Sequence, residues 1–405
     1  MTTIFRAVRV FDGERFLDGP HDVIFDGGAI TQVSPTGGTV AAPDATVVDA
    51  IGKTLTPGFI DCHIHAPFSG AALLEQVMQP FSYQFFESVR NMATDLALGI
   101  TTARDAGGGD AGLKQAIAAG LIAGPRLKIS VNIMSQTGGH NDSLCLSGVD
   151  TNVSHPGKPS GVADGPEECR KKARELFRAG ADQIKICTTG GVLSPADSPE
   201  HSQFTVAEIR AIVEEAEAHG SYVLAHAQGT AGIKNALNAG VRSIEHGIFL
   251  DDEAIQLLLD KDAYLVPTLI APLWVIRLAD SGHHIPQLMV DKAKRVADTH
   301  RDAFARAVRA GVKVAMGTDT GVGPHGTNLE ELYLMYDGGL TLEGVLKATT
   351  ATAAELVAPG EKLGRLTPGY LADAVLLDCE LTDGAQLKDI SSHIAAVYQG
   401  GKQVG

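Results

Sequence analysis

The sequence has 405 residues, of which 44% are hydrophobic and 20% are charged, and its formal net charge is −15. This composition indicates a globular chain rather than a disordered one, and the acidic balance excludes a surface that neutralises nucleic-acid phosphates with clustered lysines and arginines. Five widely spaced cysteines argue against a disulfide framework, and no signal-peptide or transmembrane pattern is found, so we expect a cytoplasmic protein without a membrane or nucleic-acid partner.

The two ends of the chain both read as short β-strands. The N-terminal part contains TIFRAVRVFDG, HDVIFDGGAITQVSP and TVVDAIGKTLTPG, without a helical period, and the tail contains YLADAVLLD and HIAAVYQGGKQV. We predict that residues 1–55 and 360–405 pair into one composite β-sandwich domain.

Strand-like and helix-like segments alternate between these ends, which is typical of a parallel α/β sheet or barrel. Helical stretches such as PEECRKKARELFRAGA and TVAEIRAIVEEAEAHG separate eight strand candidates. In chain order the candidates are GFIDCHIH, ITTARDAG, RLKISVNIM, QIKICTTG, YVLAHAQ, RSIEHG, AYLVPTL and KVAMGTD. Eight such units predict an α/β fold with a (β/α)8 TIM-type barrel over residues 56–359.

Two connections in this region are longer than a tight turn. One is residues 135–165, after the third strand, and the other is the segment around Pro272, Trp274 and His283, after the seventh strand. Long loops at the carboxyl ends of barrel strands commonly form the wall or lid of an active site. We therefore expect both segments to border the site.

Reactive side chains recur at the carboxyl ends of the predicted strands, where barrel enzymes keep their active sites. They are His63 and His65 on the first strand, Asp105 on the second, His140 just past the third, Lys185 on the fourth, His226 on the fifth, His246 on the sixth and Asp319 on the eighth. Packing explains any one of these residues, but it does not explain their joint placement at one rim.

His63 and His65 are separated by one residue in a strand, so both imidazoles project from the same face. Two neutral imidazoles that converge in this way suit a divalent metal ion. The H-x-H pattern alone is a weak signal, and it gains weight from the histidines and the aspartate on the other strands.

Lys185 lies between Ile184 and Ile186 in a strand that reads as buried, where an ammonium ion is costly. Burial disfavours the charged form and lowers the pKa of a lysine, which leaves a nucleophilic amine. Addition of CO₂ would convert this amine into an anionic carbamate whose two oxygens could bridge two metal ions. The alternative is a lysine that extends from the strand end into water.

Together these motifs resemble the amidohydrolase superfamily. The resemblance rests on PGFIDCHIHA, ITTARDAGG, SQTGGHND, DQIKICTTGG, YVLAHAQG, SIEHG, GTDT and KLGRLTPGYLADAVLLD, and it spans essentially the whole chain. The chain is most similar to the imidazolonepropionase-related branch, which includes prolidases and Xaa-Lys or Xaa-Arg dipeptidases with two zinc ions.

The resemblance implies a role for each rim residue. Six side chains would bind two metal ions: His63, His65 and Asp319 the more buried ion, His226 and His246 the other, and carboxylated Lys185 both. A hydroxide between the ions would attack the scissile carbonyl, with Asp319 as the general base and His140 stabilising the oxyanion. Zinc is the expected metal, although manganese or cobalt would take the same ligands.

Three positions bear on the substrate or on the ligand geometry. The peptidase relatives commonly carry Tyr two residues after the fifth-strand histidine, where this chain has Gln228. A Gln amide can still donate a hydrogen bond to a substrate carbonyl or oxyanion, but it lacks the aromatic surface. His325, on the loop after the eighth strand, is either a substrate-binding residue or an exposed loop histidine. Asp105 is expected to orient a ligand without a chemical role.

Three other functions have weaker support. The segment GGGDAG, Gly107–Gly112, matches the dinucleotide-binding pattern G-x-G-x-x-G, but no acidic residue follows about 20 residues later to bind a ribose. A non-catalytic scaffold would have lost metal ligands that are all present here. Deaminase relatives typically use one metal ion and lack the fourth-strand lysine, so Lys185 favours a two-metal amide hydrolase.

We therefore expect a metal-dependent hydrolase that cleaves the amide bond of a small N-acyl amino acid or dipeptide-like substrate. A carbamate, urea or ester substrate, and a deaminase reaction on the same scaffold, are the alternatives. The expected partner is a small molecule, and the sequence leaves a homo-oligomer open.

Overall fold

The computed structural model describes residues 2–38, 44–70, 78–145, 147–152, 155–194 and 197–404. The strands are β1 Thr3–Val10, β2 His21–Asp26, β3 Ala29–Pro35, β4 Thr46–Asp49, β5 Thr54–Pro57, β6 Phe59–Ile64, β7 Ile100–Asp105, β8 Arg126–Ile129, β9 Ile133–Met134, β10 Ile184–Cys187, β11 Val223–Ala227, β12 Ser243–His246, β13 Tyr264–Val266, β14 Lys313–Val314, β15 Ala374–Leu377, β16 Ile394–Gln399 and β17 Lys402–Gln403. The helices are α1 Tyr83–Ala97, α2 Ala111–Ala118, α3 Pro166–Arg178, α4 Val206–Ala218, α5 Thr230–Ala239, α6 Asp252–Asp260, α7 Ile270–Asp280, α8 Gln287–Ala310, α9 Glu330–Asp337, α10 Leu342–Ala348 and α11 Ala351–Val357, with a 3-10 segment at Gly384–His393. Residues 146, 153 and 154 of the predicted loop 135–165 lie outside the described residues.

Strands from both ends of the chain form one mixed sheet. Its order is β17-β16-β15-β5-β1-β2-β3, with β4 paired to β1. Antiparallel pairing of β15 with β5 joins the two ends. Phe5, Phe25 and Tyr398 pack edge to face, with ring centroids 5.0, 5.0 and 6.0 Å apart, and form an apolar core on this sheet. The predicted second layer of a β-sandwich is not confirmed, and the predicted domain boundaries stay predictions.

The middle of the chain forms two parallel sheets. One has the order β6-β7-β8 and the other β14-β13-β12-β11-β10-β9. The third predicted strand therefore divides into β8 and β9, and the break lies at Val131, whose φ of 65° is unfavourable for a β-branched residue. The Cys62 N–H donates to the Met316 carbonyl at 2.9 Å and connects β6 to the chain after β14. Within the described residues, however, the strand ladders do not close into the single barrel that the sequence predicts.

Local sequence signals explain the ends of the helices that flank these strands. Helix α4 begins with a capping box, in which the Thr205 and Glu208 side chains each accept from the other residue's backbone N–H. Helix α5 ends at Gly240, whose φ of 98° is a left-handed conformation that favours glycine. Helix α4 lies where the sequence predicts it.

The segment after the seventh strand differs from the prediction of a long loop. Pro272 and Trp274 lie inside α7, and His283 lies in the short connection to α8. A proline is tolerated in the first turn of a helix because the N–H groups there have no helical acceptor. The helix still borders a cavity at the carboxyl ends of the strands, since Ala271, Pro272 and Val275 line it.

Three neighbouring strands that end at this cavity are shielded from water along their whole length. Every residue of β10, β11 and β12 is buried, as expected for parallel strands covered on both faces. Charged residues inside these strands, such as Lys185 and Glu245, must therefore be stabilised by neighbouring groups. Among the helices in the described ranges, none combines the length and the apolar character needed to cross a bilayer.

Candidate metal centre

Two histidines and an aspartate meet where β6 ends. The His65 N–H donates to the Thr320 carbonyl and the Asp319 N–H donates to the His63 carbonyl, each at 2.7 Å. The Asp319 Oδ1 atom lies 3.1 Å from His65 Nε2 and 3.5 Å from His63 Nε2. One ligand atom from each of the three residues lies within 4.8 Å of the others, so all three could contact one cation.

Lys185, His226 and His246 line the same central cavity, which has a volume of about 250 Å³. The Lys185 Nζ atom lies 3.2 Å from His63 Nε2. The ring centroid of His246 is 5.2 Å from that of His63 and 4.7 Å from that of His226. The six side chains that the sequence assigns to a metal pair therefore lie around one cavity.

Glu245 fixes the orientation of His63. The Glu245 Oε2 atom lies 2.6 Å from His63 Nδ1, so the other ring nitrogen faces Lys185 and Asp319. The Glu245 Oε1 atom accepts hydrogen bonds from Arg104 Nη2 at 2.8 Å and from Ser243 Oγ at 2.5 Å. Although burial opposes ionisation of Glu245, Arg104 and His63 lower the pKa of this carboxyl to about 2.

The remaining histidines are held through neutral groups. The contacts are His65 Nδ1 with the Gly107 carbonyl at 2.7 Å, His246 Nδ1 with Thr268 Oγ1 at 2.7 Å, and His226 Nε2 with the Gly190 carbonyl at 3.0 Å. These contacts leave Nε2 of His65 and His246, and Nδ1 of His226, for another ligand. Metal-binding histidines are generally oriented by such a bond to the other ring nitrogen, so the donor set fits divalent cations.

Three residues that line the cavity have a strained backbone. His246, Thr268 and Asp319 have φ values of 72°, 51° and 59°, in the left-handed region that non-glycine residues rarely adopt. Each such residue costs on the order of 1 kcal/mol, and strained residues cluster at functional sites. Seven non-glycine residues in the described ranges have this conformation, and the other four, Ala7, Val131, Phe204 and Asp262, do not line the cavity.

Asp61 holds the segment that carries Asp319 against β6. Its Oδ2 accepts from Thr318 Oγ1 at 2.7 Å and from Asn328 Nδ2 at 2.9 Å, and its Oδ1 accepts from the His63 N–H at 3.0 Å. Burial raises the pKa of Asp61 to about 6, although these hydrogen bonds favour its ionised form. Asp61 therefore positions Asp319 from outside the cavity.

The charges around the cavity are set by burial and by neighbouring groups. Burial lowers the pKa of His63 to about 4 and lowers the pKa of Lys185 from its ordinary value. Burial opposes the ionisation of Asp319, but His63 and His65 hold the pKa of this carboxyl at about 2. At neutral pH the cavity therefore offers a carboxylate beside a neutral imidazole, which is a suitable combination for a cation.

His140 packs against this cluster. Its ring stacks on His226, with centroids 4.3 Å apart and planes 20° apart. The His140 backbone N–H donates to Gln203 Oε1 at 2.9 Å, and His140 Nδ1 lies 3.3 Å from Asp197 Oδ2. Burial opposes the ionisation of Asp197, but His140 lowers the pKa of its carboxyl. The contact with Asp197 leaves His140 Nε2 as the ring nitrogen available to a substrate oxygen.

Gln228 and His325 lie in different surroundings. Gln228 lines the central cavity, and its side-chain Oε1 is buried without a hydrogen-bond partner among the described residues. The His325 imidazole is only 2% exposed, and its nitrogens lie 2.8 Å from Asp95 Oδ2 and 3.3 Å from the His65 carbonyl. His325 is therefore not an exposed loop histidine. A substrate contact by His325 has no geometric support, because its ring is enclosed by these partners.

Asp105 orients the loop behind His65. Its carboxylate accepts from the backbone N–H groups of Ala66 at 2.9 Å, Gly107 at 2.9 Å and Gly109 at 3.1 Å. The Gly107 carbonyl in turn accepts the hydrogen bond from His65 Nδ1. Asp105 thus acts on the histidine through the backbone.

Sequence reasoning missed Asp61, Arg104 and Glu245, each of which has no exposed surface. The signal that singled out Lys185 was also available for Arg104 and Glu245, since each is a charged residue inside a strand that reads as buried. The sequence does not show which partner each of these residues contacts, because the partners lie on segments that are distant in the chain.

Comparison with known proteins identifies the family. The sequence profile of the Amidohydrolase family matches residues 54–404. The chain belongs to the amidohydrolase family. Relatives of this amidohydrolase include ochratoxinase from Aspergillus niger, 34% identical over 367 residues that cover 86% of this chain and 75% of that protein. Imidazolonepropionase from Chromobacterium violaceum is 24% identical over 394 residues, which cover 88% of this chain and 85% of that protein.

The amidohydrolase also resembles a solved prolidase in complex with N-methylphosphonate-L-proline. The two chains share 34% identity and a TM-score of 0.90, with 100% of this chain and 99% of that chain covered. These relatives confirm the predicted superfamily and its imidazolonepropionase-related branch. This amidohydrolase is a metal-dependent hydrolase of amide C–N bonds, with the TIM-barrel-type α/β fold of its family.

Replacement of Thr268 by Val keeps the side-chain shape and removes the hydroxyl that bonds His246 Nδ1. We expect Thr268→Val to weaken metal binding by about 10- to 100-fold while the fold is kept, since loss of such an orienting group has this effect. Competition for Zn²⁺ against a chelator measures the affinity, and circular dichroism checks the fold. The control is Thr31→Val, which removes an exposed threonine hydrogen bond on β3. Equal zinc affinities of both variants and the wild type would contradict the role of Thr268.

Proposed function

We propose that this amidohydrolase binds two divalent metal ions, with carboxylated Lys185 between them, and cleaves the amide bond of an N-acyl amino acid or dipeptide-like substrate. The observation that carries the proposal is the placement of Lys185 Nζ, which is buried 3.2 Å from His63 Nε2 in the cavity that the other histidines line. Zinc is the proposed metal, since imidazole and carboxylate groups suit it.

The surroundings of Lys185 favour its modification. Within the described residues its amine has a hydrogen bond to the His63 imidazole, and no carboxylate lies within ion-pair distance. A buried ammonium without an ion-pair partner is unfavourable. If the neutral amine adds to CO₂, one N–C bond forms and one proton is released, which leaves an anionic carbamate among the metal-binding imidazoles.

The proposed ligands divide into two groups. His63, His65 and Asp319 would hold one ion, His226 and His246 would hold the second, and the Lys185 carbamate would contact both. When bound, the metal ions lower the pKa of a water molecule and polarise the substrate carbonyl.

Two residues of the chain would move the proton and stabilise the developing charge. The ionised Asp319 carboxylate can accept a proton from the attacking water and pass it to the leaving nitrogen. His140 donates from Nδ1 to the Asp197 carboxylate and stacks on His226, so its Nε2 is turned to the oxyanion and donates a hydrogen bond to it when both ring nitrogens carry a proton.

The relatives support an amino acid as the leaving group. A prolidase that shares the fold over the whole chain binds a phosphonate derivative of L-proline. We propose that this chain likewise releases an amino acid from an amide.

The proposed architecture has two parts. Residues 56–359 would form a (β/α)8 barrel from the two parallel sheets, and residues 1–55 with 360–405 would form the composite β-sandwich domain. Hydrogen bonds between β6 and the chain after β14 support the barrel, and the pairing of β5 with β15 supports the composite domain.

A substrate panel tests the proposed reaction. We expect the zinc-loaded protein to release free amino acids from N-acetyl amino acids or dipeptides, detected by chromatography. Activity should disappear on chelation and return with Zn²⁺, Mn²⁺ or Co²⁺. Faster cleavage of the carbamates, ureas or esters in the panel than of any amide would overturn the substrate assignment, and activity that survives complete metal removal would overturn the mechanism.

Lys185→Ala tests the bridging group. We expect bound metal and turnover to fall together, with kcat/KM reduced by about 100-fold or more because a direct ligand is lost. Propionate should restore part of the activity, since its carboxylate replaces the carbamate. Metal analysis and turnover with and without propionate measure both effects, and exposed Lys388→Ala is the control. Full activity without propionate would exclude the bridge.

Asp319→Asn tests proton transfer. The variant should keep its fold, because the amide is isosteric with the carboxylate, but kcat should fall by about 10²- to 10⁴-fold when the general base is removed. Steady-state kinetics and thermal unfolding are measured on the same preparation. A kcat near that of the wild type in the folded, metal-loaded variant would rule out Asp319 as the base.

A further inference from the structure

A second cavity carries a cation that the proposed reaction does not use. This outer cavity has a volume of about 890 Å³ and shares His140, Asn141 and Leu193 with the central cavity. Among the described residues that line it, Lys158 is the only lysine or arginine. No ion pair or hydrogen bond from its ammonium to another described residue is found. A cation without a protein partner is unexpected here, because acidic residues outnumber basic ones in this chain and its formal net charge is −15.

The backbone around Lys158 is fixed to the strand that leads to the site. The Asn132 side chain donates to the Pro159 carbonyl at 2.8 Å, and the Ser135 N–H donates to the Gly161 carbonyl at 3.1 Å. A Cβ atom at Gly161 would lie 1.9 Å from the carbonyl oxygen of Ile133, so only glycine allows this close approach. Because Ile133 lines the central cavity, Lys158 is held next to the site rather than on a free loop.

Lys158 also interacts electrostatically with the carboxylate of Asp105, the residue that orients the loop next to His65. Burial lowers the pKa of Lys158, and the charge of Asp105 opposes this effect. Asp105 is already occupied by backbone N–H groups of the loop whose Gly107 carbonyl holds His65. Lys158 is thus a partly buried cation close to the metal centre, without a carboxylate in contact.

The acidic side chains of the outer cavity do not form an ion pair with Lys158. Asp142 accepts from the backbone N–H groups of Gly138 at 2.7 Å and Leu144 at 3.1 Å. Asp150 accepts from the Ser143 hydroxyl at 2.5 Å and from the Asn152 N–H at 2.8 Å. The third acidic residue of the lining, Glu87, lies 3.5 Å from Arg90 Nη2 on its own helix. None of the three carboxylates pairs with Lys158 among the described residues, which leaves the cation for a ligand.

A hydroxyl group lies close to Lys158 in the chain. Ser160 lines the outer cavity and its oxygen accepts from the Val162 N–H at 3.3 Å, so its proton is available for a further acceptor. An ammonium and a hydroxyl together suit a carboxylate, which accepts several hydrogen bonds.

We propose that Lys158 binds the free carboxylate of the leaving amino acid, with the Ser160 hydroxyl beside it. This inference rests on the proposed function and narrows the substrate to N-acylated amino acids that keep their carboxylate. The scissile carbonyl lies in the central cavity beside His140, and the amino acid extends past Asn141 into the outer cavity. Neutral amides, carbamates and ureas lack the anion and are poor substrates.

A pair of substrates that differ only in the carboxylate tests Lys158. The amide cleaved fastest in the substrate panel is compared with the analogue in which hydrogen replaces the α-carboxylate. We expect the wild type to prefer the acid by about 10- to 100-fold in kcat/KM, which corresponds to one charge-assisted hydrogen bond. Lys158→Met should remove this preference by raising KM for the acid, with no change for the analogue, and Lys158→Arg should keep most of it.

The matched control is Lys294→Met, which removes an exposed charge from α8 and should leave kcat/KM unchanged for both substrates. An equal loss on both substrates in Lys158→Met would overturn the assignment in favour of a structural role, and an unchanged KM for the acid would overturn it as well.

Calorimetric binding separates this inference from the proposed reaction. N-acetyl-L-phenylalanine is titrated into the wild type and into Lys158→Met, both loaded with metal. If no amide is cleaved but binding of the acid depends on Lys158, the proposed reaction fails and the carboxylate site stands. If both proteins bind the acid equally, or neither binds it, the carboxylate site is refuted whatever the turnover.

Discussion

A buried ion pair connects the two parallel sheets of this amidohydrolase. Arg104 on β7 and Glu245 on β12 belong to different parallel sheets, and their side chains meet at 2.8 Å with no exposed surface. The Glu245 carboxylate also bonds His63 on β6. Loss of one partner from a buried pair leaves an uncompensated charge, at a cost of about 3–5 kcal/mol. The two sheets and His63, a candidate metal ligand, are therefore held in one arrangement by the same carboxylate.

The remaining features of the centre follow from the need to stabilise charge without water. Asp319 is ionised because His63 and His65 surround it, and these imidazoles are themselves held by Glu245 and by the Gly107 carbonyl. Lys185 has no carboxylate within ion-pair distance, although Glu245 and Asp319 act on its charge from farther away. A carbamate at this position would replace the ammonium by an anion and create a metal ligand in one step. The proposed modification would therefore serve both the electrostatics of the cavity and the proposed chemistry.

The loop after the third strand carries two residues that we propose contact the substrate. Its first part supplies His140, held by Asp197 and stacked on His226, at the central cavity. Its later part is fixed to β9 through Pro159 and Gly161 and supplies Lys158 in the outer cavity. One connection would therefore carry both the group that stabilises the oxyanion and the group that recognises the carboxylate. The spacing between the two cavities would then set the distance between amide and carboxylate in a good substrate.

The sequence by itself determined the family, the alternation of strands and helices, and the rim residues, because these depend on local periodicity and on short motifs such as H-x-H. It also marked Lys185, since a charge within a buried strand is visible in a few residues. The tertiary structure decided which residues these side chains contact. Glu245 meets an arginine 141 residues away, and His325 is enclosed by Asp95 from 230 residues away. The division of the third strand at Val131 and the helix at Pro272 were likewise settled by packing. Long-range contacts of this kind depend on how the sheets assemble, which no local pattern encodes.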